Sequence, residues 1–385
     1  MTFNGSIELN NIRRDDEYSN GMVKAKSPVV EIFAYMAAGK NLDELDGKLK
    51  DSAGRVLDMN AINTAVKDIQ GKAFAAGGGN QYAAAELNEI RKFTILPLLQ
   101  EELQLLSFMG NYESIGYNDS IYAEVSKLGG DKSQFQALGG DVLFPAFEHD
   151  RYAVPTTTIS GGYAVDYRKL QFGDMSQENI GMEQVRVDIR NKAARYVIFV
   201  IWNSINNTNN VKFVAQGAGV AQSALNEMVR NIRRFGQVNI FGDYSMVSQI
   251  NAFHGYDGVV PVVGGVSQAA LNELRRTGLV GMYMGSVVAE IQNAFNLTRP
   301  LPTGDGFELY FPDNIMFVVP AGLQSPIRTW TRGGLSSVQG VDVATGRNLA
   351  RFDLEIAADV ARTNEYKVGI ITDTALGAGV PDPRA

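Results

Sequence analysis

Between Gln177 and Asn206 apolar residues recur at helical spacing, with Met182, Val185, Ile189, Ala193, Tyr196 and Val200 on one stripe. The pattern predicts a single helix of about thirty residues, opened by Asp174 or Ser176 as N-cap and longer than a globular domain usually holds. Its halves differ. Glu183, Arg186, Asp188 and Arg190 give the first half a charged face, whereas the second half, YVIFVIW, is apolar on nearly all sides and calls for burial. One end therefore belongs to a core and the other to the surface, with Val185, Ile189, Tyr196 and Val200 as the expected core contacts.

From Tyr117 to about Leu170 the apolar period is two, with Ile121, Ala123 and Val125 on one face and Tyr163, Val165 and Tyr167 on another. Between these strands lies SKLGGDKSQFQALGGDVLFPAF, in which Leu-Gly-Gly-Asp begins at Leu128 and again at Leu138. Two copies do not make a solenoid, and the simpler reading is a long two-stranded excursion that needs a neighbouring surface to lie on. Residues 211–322 alternate helix and strand and read as an α/β unit of their own: helices over 222–235, 244–253 and 267–277, strands at 238–241, 286–292, 307–311 and 314–319, and hairpin turn chemistry from Leu301 to Asp313. The closing stretch, Ile327 to Thr374, is mostly strand, with Phe352, Leu354 and Ile356 alternating and a final run from Tyr366 to Ile371, expected to pair with strands flanking the long helix. Residues 1–109 read as an irregular arm with short, poorly connected helical pieces. One is led by Pro28 with Val29, Ile32, Phe33 and Met36 on its face; a stronger helix runs from about Ala83 to Met109, which Pro97 should kink or restart near Ile95.

At 385 residues the chain has room for more than one core, and 45% hydrophobic with 20% charged residues describes an ordinary folded protein. There is no cysteine, and only His149 and His254 offer imidazole, so disulfides, thiolate nucleophiles and sulfur-bound zinc are excluded. A net charge of -7 argues against a protein that grips nucleic acid through a basic face. The longest strongly apolar stretch, Tyr196 to Trp202, is too short to cross a bilayer, and the first twenty residues lack an apolar signal core, which implies a cytoplasmic protein. Sharper candidates have plainer readings. Gly217-Ala218-Gly219 lacks the lysine and third glycine of a phosphate cradle. His149 beside Glu148 and Asp150 has no second histidine near it, and Ser245 or Ser286 would have to recruit His254 without a nucleophile-elbow motif. A carboxylate enzyme built on Asp243 and Glu290 would need a pocket that the spacing does not assemble. No catalytic residue, cofactor or metal is expected.

The order of these parts resembles the major capsid protein of tailed bacteriophages, the Hong Kong-type capsid fold shared with encapsulins. Local strings carry the likeness: Gly281-Met282-Tyr283-Met284-Gly285-Ser286-Val287-Val288 before Glu290-Ile291 resembles an axial-domain strand, and Asn314 to Val319 resembles the strand that follows it. Arg351-Phe352-Asp353-Leu354-Glu355 through Gly369-Ile370-Ile371 resembles the closing peripheral-domain strands. The resemblance implies an α+β fold with an N-terminal arm (1–109), an extended loop (110–170), a peripheral domain with the spine helix (171–210 and 323–385) and an inserted axial domain (211–322). It implies hexamers and pentamers tiling an icosahedral shell around double-stranded DNA, assembled in the host cytoplasm and carried in the virion. Scaffolding, portal and cement proteins, together with non-specific contact with packaged DNA, complete the implied partners. On the extended loop, Lys127, Asp131, Lys132, Phe135, Leu138 and Phe144 are then the expected contacts to a neighbouring subunit. Some relatives cross-link through a loop lysine, but Lys127 and Lys132 read more simply as charges steering surface contacts worth under about 1 kcal/mol each. The charged stretch from Asn41 to Arg55 reads as a retained bracing arm rather than a cleaved scaffold. A nanocompartment shell of the encapsulin type is the alternative within the same fold.

Overall fold

The computed structural model describes residues 28–50, 54–103, 106–128, 147–166, 168–169, 176–206, 213–253, 281–301, 306–322, 325–342, 345, 347–362 and 364–376. Three helices lead the described chain: α1 (Pro28–Ala37), α2 (Met59–Gly77) and α3 (Gln81–Leu103), followed by the short α4 (Leu106–Met109). The helices expected at Pro28 and from Ala83 are present, and α2 joins them. Val29, Ile32 and Phe33 of α1, Ile62, Ile69 and Ala73 of α2, and Leu87, Ile90 and Leu99 of α3 are buried in the same core as the long helix. The sequence reading missed α2 because its inner stripe is largely alanine, whose apolar signal is weak although its helix propensity is high. Pro97 is accommodated inside α3 without ending it.

The long helix is present as α5 (Ser176–Asn206). Its inner stripe is Met182, Val185, Ile189, Ala193, Val197, Ile201 and Ile205, all buried. Val185 and Ile189 are thus core residues as expected, while Tyr196 and Val200 are only partly buried and pack at the core's margin. The correction follows from the helical period: continuing by four from Ala193 puts Val197 and Ile201 at the centre of the inner face and leaves Tyr196 and Val200 at its side.

A four-stranded sheet lies against α5 in the order β1 (Asn111–Ile115), β12 (Ile327–Asp342), β13 (Arg347–Val360) and β4 (Thr157–Asp166). The long β12–β13 hairpin carries a bulge between Arg332 and Leu335, made by Gly333 and Gly334 at φ 69° and 66°. Both angles are left-handed, and a Cβ on Gly333 would stand 2.8 Å from the Tyr117 ring. Phe352, Leu354 and Ile356 of β13 point into the core, as their alternation predicts.

What fixes this layer is an ion pair. Arg91 of α3 donates from Nε to Oε2 of Glu178, in the first turn of α5, at 2.9 Å, and its Nη2 donates to the other carboxylate oxygen. The Tyr163 hydroxyl of β4 donates to the same Oε2 at 2.6 Å. Arg91 and Glu178 are 1% and 0% exposed. Burial pushes the Tyr163 phenol well above its usual range, so it remains a hydroxyl donor. Gly181, one turn along α5, makes room: a Cβ there would fall 2.5 Å from the Tyr163 ring.

The six-stranded sheet runs β5 (Phe213–Gly217), β14 (Gly369–Asp373), β11 (Ile315–Pro320), β6 (Val238–Gly242), β8 (Ser286–Glu290) and β7 (Met282–Tyr283). Period two divides its faces. Phe241, Phe317, Val319 and Ile370 join the main core, while Ile240, Met316, Val318 and Ile371 pack against α6 (Gln222–Ile232) through Leu225, Met228, Val229 and Ile232. The α/β unit is therefore joined to the rest along one whole sheet face. The final strand, β14, lies between β5 and β11, so that, with β13 beside β4, the closing strands pair with the strands on either side of α5 in the chain, as expected. Its Gly369 explains the fit, since a Cβ there would collide with Met228 of α6. The expected helix over 267–277 lies outside the described residues. The helices over 222–235 and 244–253 each finish in a 3-10 turn, and the second is α-helical only at α7 (Tyr244–Val247).

Two outcomes follow. Arg91→Met leaves Glu178 buried without its partner and costs about 3–5 kcal/mol in denaturant unfolding, whereas Arg91→Met with Glu178→Gln recovers most of that loss. The second concerns Glu290, whose carboxyl is pushed up by burial and by the nearby Asp243. A raised folded pKa means that the charged form weakens the fold above the ordinary carboxylate range. Glu290→Gln should therefore raise the melting temperature at pH 7, and the gain should vanish as pH falls through about 4, where the native acid is protonated.

Candidate assembly surface

The strand excursion expected from the sequence is a two-stranded ribbon, β2 (Tyr122–Leu128) with β3 (Phe147–Ala153), in register from Tyr122 opposite Ala153 to Leu128 opposite Phe147. Its root is fastened to the far side of the β12–β13 hairpin from α5. Trp330 of β12 and Ala357 of β13 stand opposite each other in register and form a small buried cluster with Ile121, Ala123 and Val154. Alternation again decides the geometry: even-numbered residues of β13 face the main core, and the odd-numbered Ala357 and Asp359 face the ribbon.

Polar contacts close the root. Tyr152 of β3 donates its hydroxyl to Asp359 Oδ2 at 2.5 Å, and the Arg362 guanidinium lies 4.0 Å above the Tyr152 ring. Arg328, opposite Asp359 in register, donates to the Glu124 carbonyl at 3.2 Å. Burial, and then the bond to Asp359, pushes the Tyr152 phenol far above its ordinary value; burial also raises Asp359, against the opposing pull of Tyr152 and Arg362. Arg151 stacks over the Tyr122 ring at 4.1 Å on the outer surface. None of these root contacts was read from the sequence. The signals that could have suggested them are the chain's scarce tryptophan and the arginines placed near strand aromatics.

Of the expected loop contacts, Lys127 lies on β2 opposite Glu148. Asp131, Lys132, Phe135, Leu138 and Phe144 lie outside the described residues. His149 lies on β3 between Glu148 and Asp150, opposite Ser126, and His254 lies outside the described residues. The turn at Gly217-Ala218-Gly219 is already satisfied internally: Gly219 N donates to Asp373 Oδ1 and Val220 N to Gln249 Oε1, both at 2.7 Å. Ser286 is fully buried, and Ser245 Oγ lies 2.7 Å from Asp243 Oδ1 and 2.8 Å from the Asp313 carbonyl.

Asp243 and Glu290 do come close, which their sequence separation hid, because β6 and β8 pair in parallel with Gly242 opposite Glu290. Asp243, however, is spent as the N-cap of α7, accepting from Ser245 N at 2.8 Å. Glu290 alone of the two lines a cavity of about 400 Å³ shared with Glu102, Phe108, Arg190 and Asn191. Among the described residues no three His, Cys, Asp or Glu side chains are grouped so as to hold a metal ion.

Comparison with solved structures finds loose likenesses. The chain is similar to the subunit of the bacteriophage PhiM1 mature capsid, at 14% identity over 69% of this chain and 86% of that one, TM-score 0.43. It is similar to the Microbacterium phage Oxtober96 structure at 11% identity, over 69% and 90%, TM-score 0.46. A virus-like particle from Pyrococcus furiosus follows at 10%, over 74% and 98%, TM-score 0.42. No curated protein matches the chain. One family model matches almost the whole length, residues 10–372. The chain belongs to that family, described as the SPbeta prophage-derived putative capsid protein YonB.

Proposed function

We propose that this chain is a phage major capsid protein, which builds a closed shell from many copies of itself and performs no chemical step. The observation that carries the reading is the capsid family match across residues 10–372. The fold supplies a physical route. A ribbon tied down at Trp330, Tyr152 and Asp359 presents its strand edges away from the subunit's own sheets. Unpaired edges are templates for another chain, and shell contacts of roughly 2,000 Å² or more stabilise assembly where a lone ribbon would be marginal.

In this reading β2 and β3, with residues 129–146, lie across a neighbouring copy. Residues 211–322 sit toward the centres of hexamers and pentamers, and α5 spans the subunit between them. The shell encloses double-stranded DNA, is assembled in the host cytoplasm, and is completed by scaffolding, portal and cement proteins. Contact with DNA is weak and local, in keeping with the charge of -7.

Sedimentation and negative-stain microscopy of the recombinant chain, alone and with its neighbouring reading frames, should give closed particles or capsomer rings; a stable monomer under every condition would refute the reading. Deleting Ser126 to Gly140 should leave a folded subunit that fails to close shells, and wild-type particles from that variant would remove the ribbon's role. Loosening the root with Asp359→Asn plus Arg362→Ala should keep the subunit's circular dichroism while lowering the yield of closed particles.

A further inference from the structure

The cavity of about 400 Å³ beside Glu290 is built by the end of α3, by α4, by the middle of α5 and by the end of β8 with residues 291–292. Those last residues lead to the hairpin of β9 (Phe295–Pro300) and β10 (Phe307–Leu309). Leu103, Leu106, Phe108 and Ile291 make most of the wall apolar. The volume falls in the range of about 300–1,000 Å³ in which proteins enclose small organic ligands.

The polar groups of the cavity are held in place and left incomplete. Arg190 donates from Nε and Nη2 to Asn191 Oδ1 at 3.2 and 3.1 Å, and from Nη1 to Gln292 Oε1 at 3.3 Å. The same Nη1 stands 3.5 Å from Glu102 Oε1, which also accepts from Arg186 at 2.6 Å. One guanidinium thus fixes both the Asn191 amide and the Glu102 carboxylate. Asn191 is 3% exposed, yet among the described residues its Nδ2 has no acceptor, and the buried Glu102 Oε2 has no donor. Buried polar atoms normally find a partner, because leaving one unmet costs more than the bond itself contributes.

These unmet groups define what would complete them. An ammonium or guanidinium would satisfy Glu102 and Glu290 but offers Asn191 no acceptor. A carboxylate or phosphate would accept from Asn191 but meets the acids Glu101, Glu102 and Glu290. A primary carboxamide carries one acceptor oxygen and two N–H donors in one plane, and an alkyl stem behind it suits the leucine, phenylalanine and isoleucine wall.

We propose that this cavity binds a primary carboxamide on a short apolar stem, its oxygen accepting from Asn191 Nδ2 and its N–H groups donating to Glu102 Oε2 and Glu290. A small free amide and the glutamine side chain of another copy share this chemistry. The site rests on its own geometry and not on the shell reading.

Titration of the wild-type chain with butyramide, n-butylamine, butyrate and 1-butanol, probes of similar size, isolates the head group. Butyramide should shift the methyl NMR signals of Leu103, Leu106 and Ile291 and bind about tenfold or more tightly than each of the other three. Asn191→Asp removes the donor and keeps the shape, while Ala194→Leu fills cavity space and leaves the polar groups in place. Each should lower the butyramide affinity about tenfold with unchanged circular dichroism. Preference for any other probe, equal binding of all four, or no binding overturns the proposal, and so does wild-type affinity in both variants. In assembled shells, butyramide binding that persists assigns the site to a free amide, and binding that disappears assigns it to a side chain of a neighbouring copy; both support the carboxamide site. A chain that never forms shells removes the shell reading and leaves the subunit titration to decide this one.

Discussion

A buried arginine–glutamate pair is costly unless its geometry is nearly complete, because both charges leave water and only each other and a few donors replace it. Arg91, Glu178 and Tyr163 meet that condition in part, since both Glu178 oxygens are bonded while Arg91 Nη1 makes no hydrogen bond among the described residues, and they come from α3, α5 and β4, far apart in the chain. Their meeting ties the helical layer to the first turn of the long helix, alongside the apolar contacts of the shared core, and holds β4 to the same end of it. The rest of the sheet is then set by register. β4 pairs with β13, β13 with β12, and the face of that hairpin turned away from α5 receives the root of the β2–β3 ribbon. The orientation of the proposed assembly element is thus traceable to one ion pair at the opposite side of the layer.

The same subunit contrasts stiff and loose construction. Its six-stranded sheet is apolar on both faces, so the α/β unit shares a core with the helices and is expected to move with them as one piece. The β2–β3 ribbon instead hangs from polar and aromatic fastenings at its base and leaves strand edges open. A shell subunit profits from that division. A rigid body sets curvature, and the free edges find their stabilising partners only when copies come together, so the burial missing from the monomer is supplied by assembly.

Much of this plan was legible in the sequence, for physical reasons that differ between elements. The 3.6-residue stripe through Val185 and Ile189 disclosed α5, and the period of two through Phe352, Leu354 and Ile356 disclosed β13, because each buries one face against a large core. The margin residues Tyr196 and Val200 were misjudged, since an apolar residue at the side of a stripe reads the same as one at its centre. The helices at Pro28 and Ala83 were read, whereas α2 was missed, because its alanine-lined interface carries little hydrophobic contrast. Non-local pairings were the least visible: neither the pairing of β14 with β11 nor the meeting of Asp243 with Glu290 follows from spacing along the chain. The ribbon was foreseen as an excursion, yet its root was not, since Trp330, Tyr152 and Asp359 converge only after three strands have taken register.

On the reading proposed above, copies of this chain close into a shell through ribbons laid on one another. A cryo-electron microscopy reconstruction of particles formed by the wild-type chain addresses it most directly. The expected result is a closed icosahedral lattice in which β2 and β3 cross onto an adjacent subunit while the core around Arg91 and Glu178 is the same in every copy. A discrete small oligomer, or a lattice whose ribbons fold back onto their own subunits, would contradict it.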